Sequence, residues 1–150
     1  LLDQGSVKVR FKADALGTDQ GLVSKDAVSF GSGGHFTLWI GADQKVHARL
    51  GSSTQDYEVV STSDVPADEW TEVVLTFGSR GMELFINGSL EAADAYLGGL
   101  GSSSGASGNE EPLVFGASSW LSADMSASPL EAFFDGMIDL VELHNEQLTP

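Results

Sequence analysis

Trp39, His47 and Arg49 are the residues of this chain whose types and spacing most favour binding chemistry. An aromatic plane stacks on the apolar C–H side of a pyranose ring, while Arg and His donate hydrogen bonds to the hydroxyl groups of the sugar. Two more aromatic residues, Trp120 and Tyr57, are candidates to extend such a site, with Trp120 either at its rim or over a sheet edge. These residue types predict a carbohydrate-binding surface.

The surface depends on two neighbouring alternating runs, FTLWI and VHARL, joined by the turn GADQK at 41–45. Successive side chains of a strand point to opposite faces of its sheet, so the polar members of both runs share the face away from the core. A tight turn places Trp39 across from His47, and it places Thr37 across from Arg49. The sequence therefore predicts an exposed cluster on one wet face.

The sequence gives less support to a catalytic site than to a binding surface. A glycoside hydrolase needs two carboxylates at a set separation, and the one pair at alternating positions of a strand is Asp56 and Glu58, which we expect to be solvated edge residues. The histidines, His35, His47 and His144, are scattered, there is no cysteine, and neither a nucleophile elbow nor zinc-ligand spacing occurs. The chain alone is predicted not to be an enzyme.

The elements that must position these residues are β-strands. Alternation with a period of two runs through the chain, and turn-forming clusters of Gly, Ser, Asp and Asn recur about every 8 to 12 residues. No helix long enough for a βαβ unit is indicated. The predicted strands centre on residues 7–11, 36–40, 46–50, 57–61, 73–77, 82–86, 113–115 and 138–143.

Two stretches depart from this rhythm. Residues 98–111 are so rich in Gly and Ser that they predict a mobile surface loop that does not pack. Residues 118–136 are less polar and are predicted to fold back over the sandwich. Residues 118–136 then either leave open or cover the sheet face on which Trp39 lies. A further alternative is that Trp39 has no ligand and only fills space in a strongly curved sheet.

Composition limits the classes of partner. The 150 residues carry 22 Asp and Glu against 7 Lys and Arg, a net charge of −15, with a hydrophobic content of 41% that suffices for one folded domain. A phosphate backbone or an anionic membrane surface requires clustered cations, and no apolar run approaches the roughly 20 residues of a membrane span, so the sequence argues against nucleic acid and membrane insertion. The charge is instead typical of an acidic domain outside the cytoplasm.

The pattern of several segments, in order, resembles the laminin-G-like, concanavalin A-like jelly-roll family. The clearest pieces are EWTEVVLTF and LFING, a Trp-headed strand followed by a strand that ends in Asn-Gly. SVKVRFKAD, PLVFGAS and FDGMIDLVELHNEQLTP are similar to the opening, late and closing strands of that family. The resemblance covers nearly the whole chain, and implies a single all-β domain, 1–150, built as a two-sheet antiparallel sandwich with little helix.

The resemblance also implies a packing role for one tryptophan and a calcium ion. Trp70 matches the buried tryptophan at the head of a strand. Many sandwiches of the family hold one Ca²⁺, which takes six to eight oxygen ligands, commonly carboxylates and backbone carbonyls. The carboxylates that match best are Asp26 and Asp139, followed by Asp3 and Asp124.

The expected function is a noncatalytic extracellular binding module for carbohydrate, with calcium in a structural or bridging role. The module is expected to be part of a larger secreted or cell-surface protein whose other domains are its neighbours. Two alternatives stay open, a structural or protein-interaction module of a large adhesin, and an accessory domain of a polysaccharide-degrading enzyme. The partner is accordingly an extracellular glycan or a cell-surface protein.

Overall fold

The structure is a computed structural model that describes residues 2–26, 33–105, 111–119 and 130–150. These ranges hold ten β-strands and a 3₁₀ turn at Ser102–Ser104. The strands are β1 (Gly5–Ala13), β2 (Gln20–Lys25), β3 (His35–Ile40), β4 (Lys45–Gly51), β5 (Asp56–Asp64), β6 (Trp70–Phe77), β7 (Met82–Ile86), β8 (Ser89–Asp94), β9 (Val114–Phe115) and β10 (Gly136–His144). Within the described ranges no helix has the length and apolar character that crossing a membrane needs.

The strands form two five-stranded antiparallel sheets, which confirms the predicted all-β sandwich. Sheet A has the order β10-β1-β6-β7-β8, and sheet B has the order β5-β4-β3-β2-β9. The first and last long strands, β1 and β10, are neighbours in sheet A, so the two ends of the described chain close the same layer.

The core lies between the inner faces of the sheets and is built from the apolar members of the alternating runs. Because the side-chain period of a strand is two, β1, β3, β4, β6 and β7 each give this core every second residue. The largest fully buried side chains include Phe11, Phe36, Leu38, Ile40, Leu50, Leu75, Phe77, Met82 and Leu84. The predicted alternation is confirmed.

The β3–β4 hairpin has the register predicted from its turn. Trp39 pairs with His47, and Thr37 pairs with Arg49. Gln44 supplies the positive φ of 65° that the tight turn requires. Both pairs therefore lie on the outer face of sheet B.

The β6, β7 and β8 strands follow the pattern of EWTEVVLTFGSRGMELFINGSL. Asn87 and Gly88 have φ values of 48° and 81°, the left-handed conformation typical of a two-residue hairpin turn. The side chain of Asn87 also accepts a hydrogen bond of 2.9 Å from the backbone N–H of Glu72. The Asn-Gly that ends the segment LFING therefore forms the turn between β7 and β8.

Trp70 contradicts the packing role that the resemblance implied. It begins β6, pairs with Lys12 of β1, and is 41% exposed. The inward positions of β6 belong to Thr71 and alternate residues after it, so the ring of Trp70 lies on the outer face of sheet A. The guanidinium carbon of Arg10 lies 4.7 Å from the ring centroid. Burial of Trp70 was a wrong prediction because the residue falls on the outward phase of its strand.

Residues 98–105 pack more closely than their composition predicts. Leu100 donates a backbone hydrogen bond of 2.7 Å to Leu2, and Ser53 donates one of 2.9 Å to the buried Ser104. Added side-chain atoms at Gly99 would lie 2.6 Å from backbone oxygens, so glycine permits this close approach. Residues 106–110 lie outside the described ranges, and the mobility of the loop stays a prediction.

Candidate functional site

A pocket of about 440 Å³ lies on the outer face of sheet B, where β2, β3 and β4 meet the segments 116–119 and 130–135. We call it the Trp39 pocket. Among the described residues, its lining mixes the ring of a tryptophan with hydroxyl, carboxylate and guanidinium groups. The lining residues are Asp19, Asp26, Thr37, Trp39, Arg49, Ser118, Glu131 and Ala132.

The aromatic ring of the pocket is held from the side by a histidine. The rings of Trp39 and His47 stack, with centroids 4.9 Å apart and an interplanar angle of 24°. The two imidazole nitrogens of His47 are bonded to Glu58 at 2.7 Å and to Asp43 at 3.0 Å. Burial lowers the pKa of His47, but the hydrogen bonds to these two carboxylates outweigh it, so the pKa is raised. His47 therefore fixes Trp39 rather than reaching for a ligand itself.

Arg49 lies at the buried end of the pocket, between two carboxylates. Its Nη2 donates to Asp26 Oδ2, and its Nη1 donates to Asp56 Oδ2 at 2.9 Å. Asp26 Oδ2 also accepts a hydrogen bond from the hydroxyl of Thr37. Arg49 is only 8% exposed and Asp26 is fully buried. The predicted exposure of Arg49 is therefore wrong, since the buried carboxylate draws its guanidinium inward.

Hydrogen bonds through serine hydroxyl groups link the Arg49–Asp26 ion pair to the segment 116–119. Asp26 donates from its backbone N–H to Ser119 Oγ at 3.1 Å, and the backbone N–H of Ser119 donates to Ser24 Oγ at 3.1 Å. His35 Nδ1 lies 3.7 Å from Asp26 Oδ1. Burial is the main reason that the pKa of His35 is lowered, so His35 is neutral near pH 7. The polar groups beneath the pocket thus form one buried network.

Gly21 allows the segments that form one wall of the pocket, around Ala117 and Ala132, to approach β2 closely. It lies in β2 opposite Trp39, and a Cβ at this position would come within 2.3 Å of the carbonyl carbon of Ala117. Its backbone N–H donates to Ala132 at 2.7 Å. Without a side chain at Gly21, the segments around Ala117 and Ala132 can lie directly against the sheet beside the tryptophan.

Two carboxylates at the rim were not found by sequence reasoning. Asp19 Oδ1 accepts a hydrogen bond of 2.9 Å from the backbone N–H of Ala42. Glu131 is held by a backbone bridge with Ser118, whose two hydrogen bonds measure 2.8 and 3.1 Å. The one signal in the sequence was Gly21, because a glycine inside a strand often marks a close approach by another segment of backbone.

Tyr57 and Trp120 do not join the described pocket. Tyr57 pairs with the core residue Leu50, so it lies on the inner face of β5, where its ring stacks on Tyr96 at a centroid distance of 3.7 Å. Trp120 lies outside the described residues. Of the predicted ligand-binding residues, the structure brings together Trp39, His47 and Arg49.

The two carboxylates with the strongest claim to calcium each face an arginine. Asp26 is bound by Arg49, and Asp139 Oδ2 lies 2.6 Å from Arg10 Nη1 on sheet A. A guanidinium in contact with a carboxylate occupies the position that a cation would take and repels it. These surroundings do not fit a calcium site.

The remaining metal candidates give no better fit. The Asp3 carboxylate accepts hydrogen bonds of 2.8 to 3.0 Å from Ser102 and Ser103, which lower its pKa. Asp124 lies outside the described residues. Among the residues that the structure does describe, no group of three His, Cys, Asp or Glu could hold a metal ion. Calcium binding stays a prediction.

The two carboxylates considered as a glycosidase pair, Asp56 and Glu58, are both engaged in ion pairs. Asp56 and Glu58 lie on β5, the edge strand of sheet B, and are exposed as expected. Asp56 is bound to Arg49, and Glu58 is bound to His47.

Comparison with known proteins identifies the fold. A family model, Laminin_G_3, described as the concanavalin A-like lectin/glucanases superfamily, matches residues 2–150. No curated protein matches the chain in sequence. The carbohydrate-binding module CBM40 of the Ruminococcus gnavus IT-sialidase, bound to α2,3-sialyllactose, superposes with a TM-score of 0.75 and 21% identity, over 98% of this chain and 78% of that one.

Two other solved structures are similar at lower identity. The leech intramolecular trans-sialidase has a TM-score of 0.72 at 17% identity, over 98% of this chain and 22% of that one. The SAP-like pentraxin from Limulus polyphemus has a TM-score of 0.66 at 13% identity, over 99% of this chain and 66% of that one. At these identities the likeness concerns the fold.

Proposed function

The chain belongs to the concanavalin A-like lectin/glucanases superfamily, and from this premise we propose that it is a noncatalytic carbohydrate-binding module. The ligand occupies the Trp39 pocket. The observation that carries the proposal is a tryptophan ring lining a pocket of about 440 Å³ among hydroxyl, carboxylate and guanidinium groups. That volume falls within the range of roughly 300 to 1,000 Å³ found for small-molecule sites.

The groups around the ring supply both halves of sugar recognition. Trp39 offers an apolar plane to the C–H side of a pyranose, and its stack on His47 keeps that plane in place before ligand arrives. Asp19 and Glu131 accept hydrogen bonds from sugar hydroxyls, and the hydroxyl oxygen of Thr37, whose proton is donated to Asp26, is a further acceptor. A preorganised site loses less entropy on binding, which favours affinity.

The similar structures support a glycan as the ligand. The CBM40 module of the Ruminococcus gnavus enzyme has been seen with α2,3-sialyllactose and with α2,6-sialyllactose. The same fold therefore binds glycans in a protein of comparable size, since this chain covers 78% of that module.

The accessory-domain form of this function is favoured over the adhesin form. This chain spans only 22% of the leech trans-sialidase and of the NanB sialidase from Streptococcus pneumoniae, so a similar domain forms part of larger sialidase chains. We propose that the module acts outside the cell and directs neighbouring domains to glycans. Its own occupied carboxylate pair, Asp56 and Glu58, supports a binding role without catalysis.

The test is binding of a glycan array by the wild type and by Trp39→Ala, with calorimetry on the strongest ligand. We expect Trp39→Ala to weaken binding about 5- to 150-fold, because removing a stacked aromatic ring costs about 1 to 3 kcal/mol. Trp70→Ala is the matched control, since Trp70 is also partly exposed but lies on sheet A. Binding that survives Trp39→Ala would move the site elsewhere, and an array without any bound glycan would favour the protein-interaction alternative.

A further inference from the structure

We infer that the Trp39 pocket selects sugars that carry no acidic group, so that its ligands are neutral hexose or N-acetylhexosamine glycans. The inference deepens the proposed function and rests on it. It starts from the charges of the lining as far as the structure describes it, where three carboxylates, Asp19, Asp26 and Glu131, face one guanidinium, Arg49.

The single cation of the lining is already matched. Arg49 donates to Asp26 through Nη2 and to Asp56 through Nη1, the latter at 2.9 Å. Its side chain is 10% exposed, and that of Asp26 is 0% exposed. An acidic ligand that took Arg49 as its partner would leave Asp26 buried with one partner fewer, and the cost of an uncompensated buried charge is large.

The other cationic side chains do not line the pocket. His47, which stacks on Trp39, is held by the carboxylates of Glu58 and Asp43. All seven Lys and Arg residues lie in the described ranges, and Arg49 is the one that lines the pocket. Lys12 pairs with Trp70 on the outer face of sheet A, and Lys25 pairs with the core residue Phe36, so it lies on the opposite face of β2. The ranges outside the description contain no Lys or Arg in their sequence.

The carboxylates of Asp19 and Glu131 at the rim of the pocket disfavour ligands that carry an acidic group. Asp19 keeps one hydrogen bond, from Ala42, and Glu131 is held through its backbone by Ser118. A carboxylate bound within about 7 Å of either one meets like charge, and each such pair weakens binding roughly three- to tenfold before salt screens it. A neutral sugar meets the same oxygens as hydrogen-bond acceptors.

The predicted preference for neutral sugars distinguishes this chain from the CBM40 module of Ruminococcus gnavus, which has a similar fold. The Ruminococcus gnavus module has been seen with sialyllactose, which carries a carboxylate. The lining described above disfavours that group, so the same fold is predicted to hold a different class of glycan here.

The experiment compares matched pairs of glycans by calorimetry and on an array. The pairs are lactose with α2,3-sialyllactose, and neutral oligosaccharides with their uronic-acid counterparts. We expect the neutral member of each bound pair to bind about tenfold more tightly, and we expect the gap to widen as salt is lowered. Asp19→Asn and Glu131→Gln should narrow the gap, since each removes a charge and keeps an acceptor oxygen. Glu142→Gln, on the outer face of sheet A, is the matched control and should leave the gap unchanged.

The outcomes distinguish the two proposals. Tighter binding of the acidic glycans would overturn the charge selectivity and leave carbohydrate binding intact. A gap unaffected by Asp19→Asn and Glu131→Gln would also overturn it, because the rim carboxylates would then not be its cause. An array with no bound glycan would remove the proposed function, and this inference with it.

Discussion

At the scale of single residues, the buried ion pair of Arg49 and Asp26 makes stability sensitive to the loss of either partner. Asp26→Ala removes the buried partner of the guanidinium, and we expect a loss of about 3 kcal/mol in the free energy of unfolding. Asp56→Ala removes the outer partner of the same arginine and should cost less than about 1 kcal/mol. Urea denaturation of the two variants measures both. Equal losses would mean that burial does not set the strength of this network.

The two histidines beside the pocket are predicted to titrate on opposite sides of the ordinary pKa of 6.5. Burial lowers the pKa of His35, whereas Glu58 and Asp43 raise that of His47 against the effect of its burial. The order of the two midpoints in an NMR titration checks this, and the reverse order would contradict the described contacts.

The raised pKa of His47 has a consequence for stability. A raised folded-state pKa stabilises the protein below the unfolded pKa, and the contribution is lost as pH rises through the folded pKa. The stability difference between the wild type and His47→Gln should therefore shrink as pH rises from about 5 to 8, a range on both sides of the ordinary histidine pKa. Urea denaturation across that range measures the difference, and a constant difference would exclude the charged histidine as its source.

At the scale of elements, the pocket exists because two segments outside the sheet lie against β2. Gly21 permits this, since a Cβ there would approach Ala117 to within 2.3 Å. Gly21→Ala is expected to cost about 1 to 3 kcal/mol of stability and to weaken glycan binding, because the wall beside Trp39 must move. Gly51→Ala on β4 is the milder control, with its nearest contact at 3.2 Å. Thermal melting and calorimetry together check the pair, and an equal effect of both changes would refute the role of Gly21.

For the whole molecule, calcium remains a prediction from the family resemblance. If the ion binds the folded state, melting in excess CaCl₂ should occur at a higher temperature than melting in EDTA. Asp26→Asn and Asp139→Asn are not expected to change that difference, because arginines hold both carboxylates. Identical melting in the two solutions would remove the calcium prediction.

The net charge of the whole molecule has the same sign as the charge of the described pocket lining. The net charge of −15 discourages acidic partners at long range, and the lining of the Trp39 pocket continues that bias at short range. Discrimination that grows as salt is lowered would therefore have both a local and a global source, which the rim variants separate.

The sequence by itself determined the sandwich, the register of the β3–β4 hairpin and the side-by-side placement of Trp39 and His47. These follow from the two-residue period of strands and from turn chemistry, which are local properties. The exposure of Trp70 follows from the same local period, because the residue lies out of phase with Val73, Leu75 and Phe77. The burial of Arg49 and the rim formed by Asp19 and Glu131 were decided by tertiary structure alone. They depend on which segment crosses which strand, and contacts between residues distant in the chain leave almost no trace in local spacing.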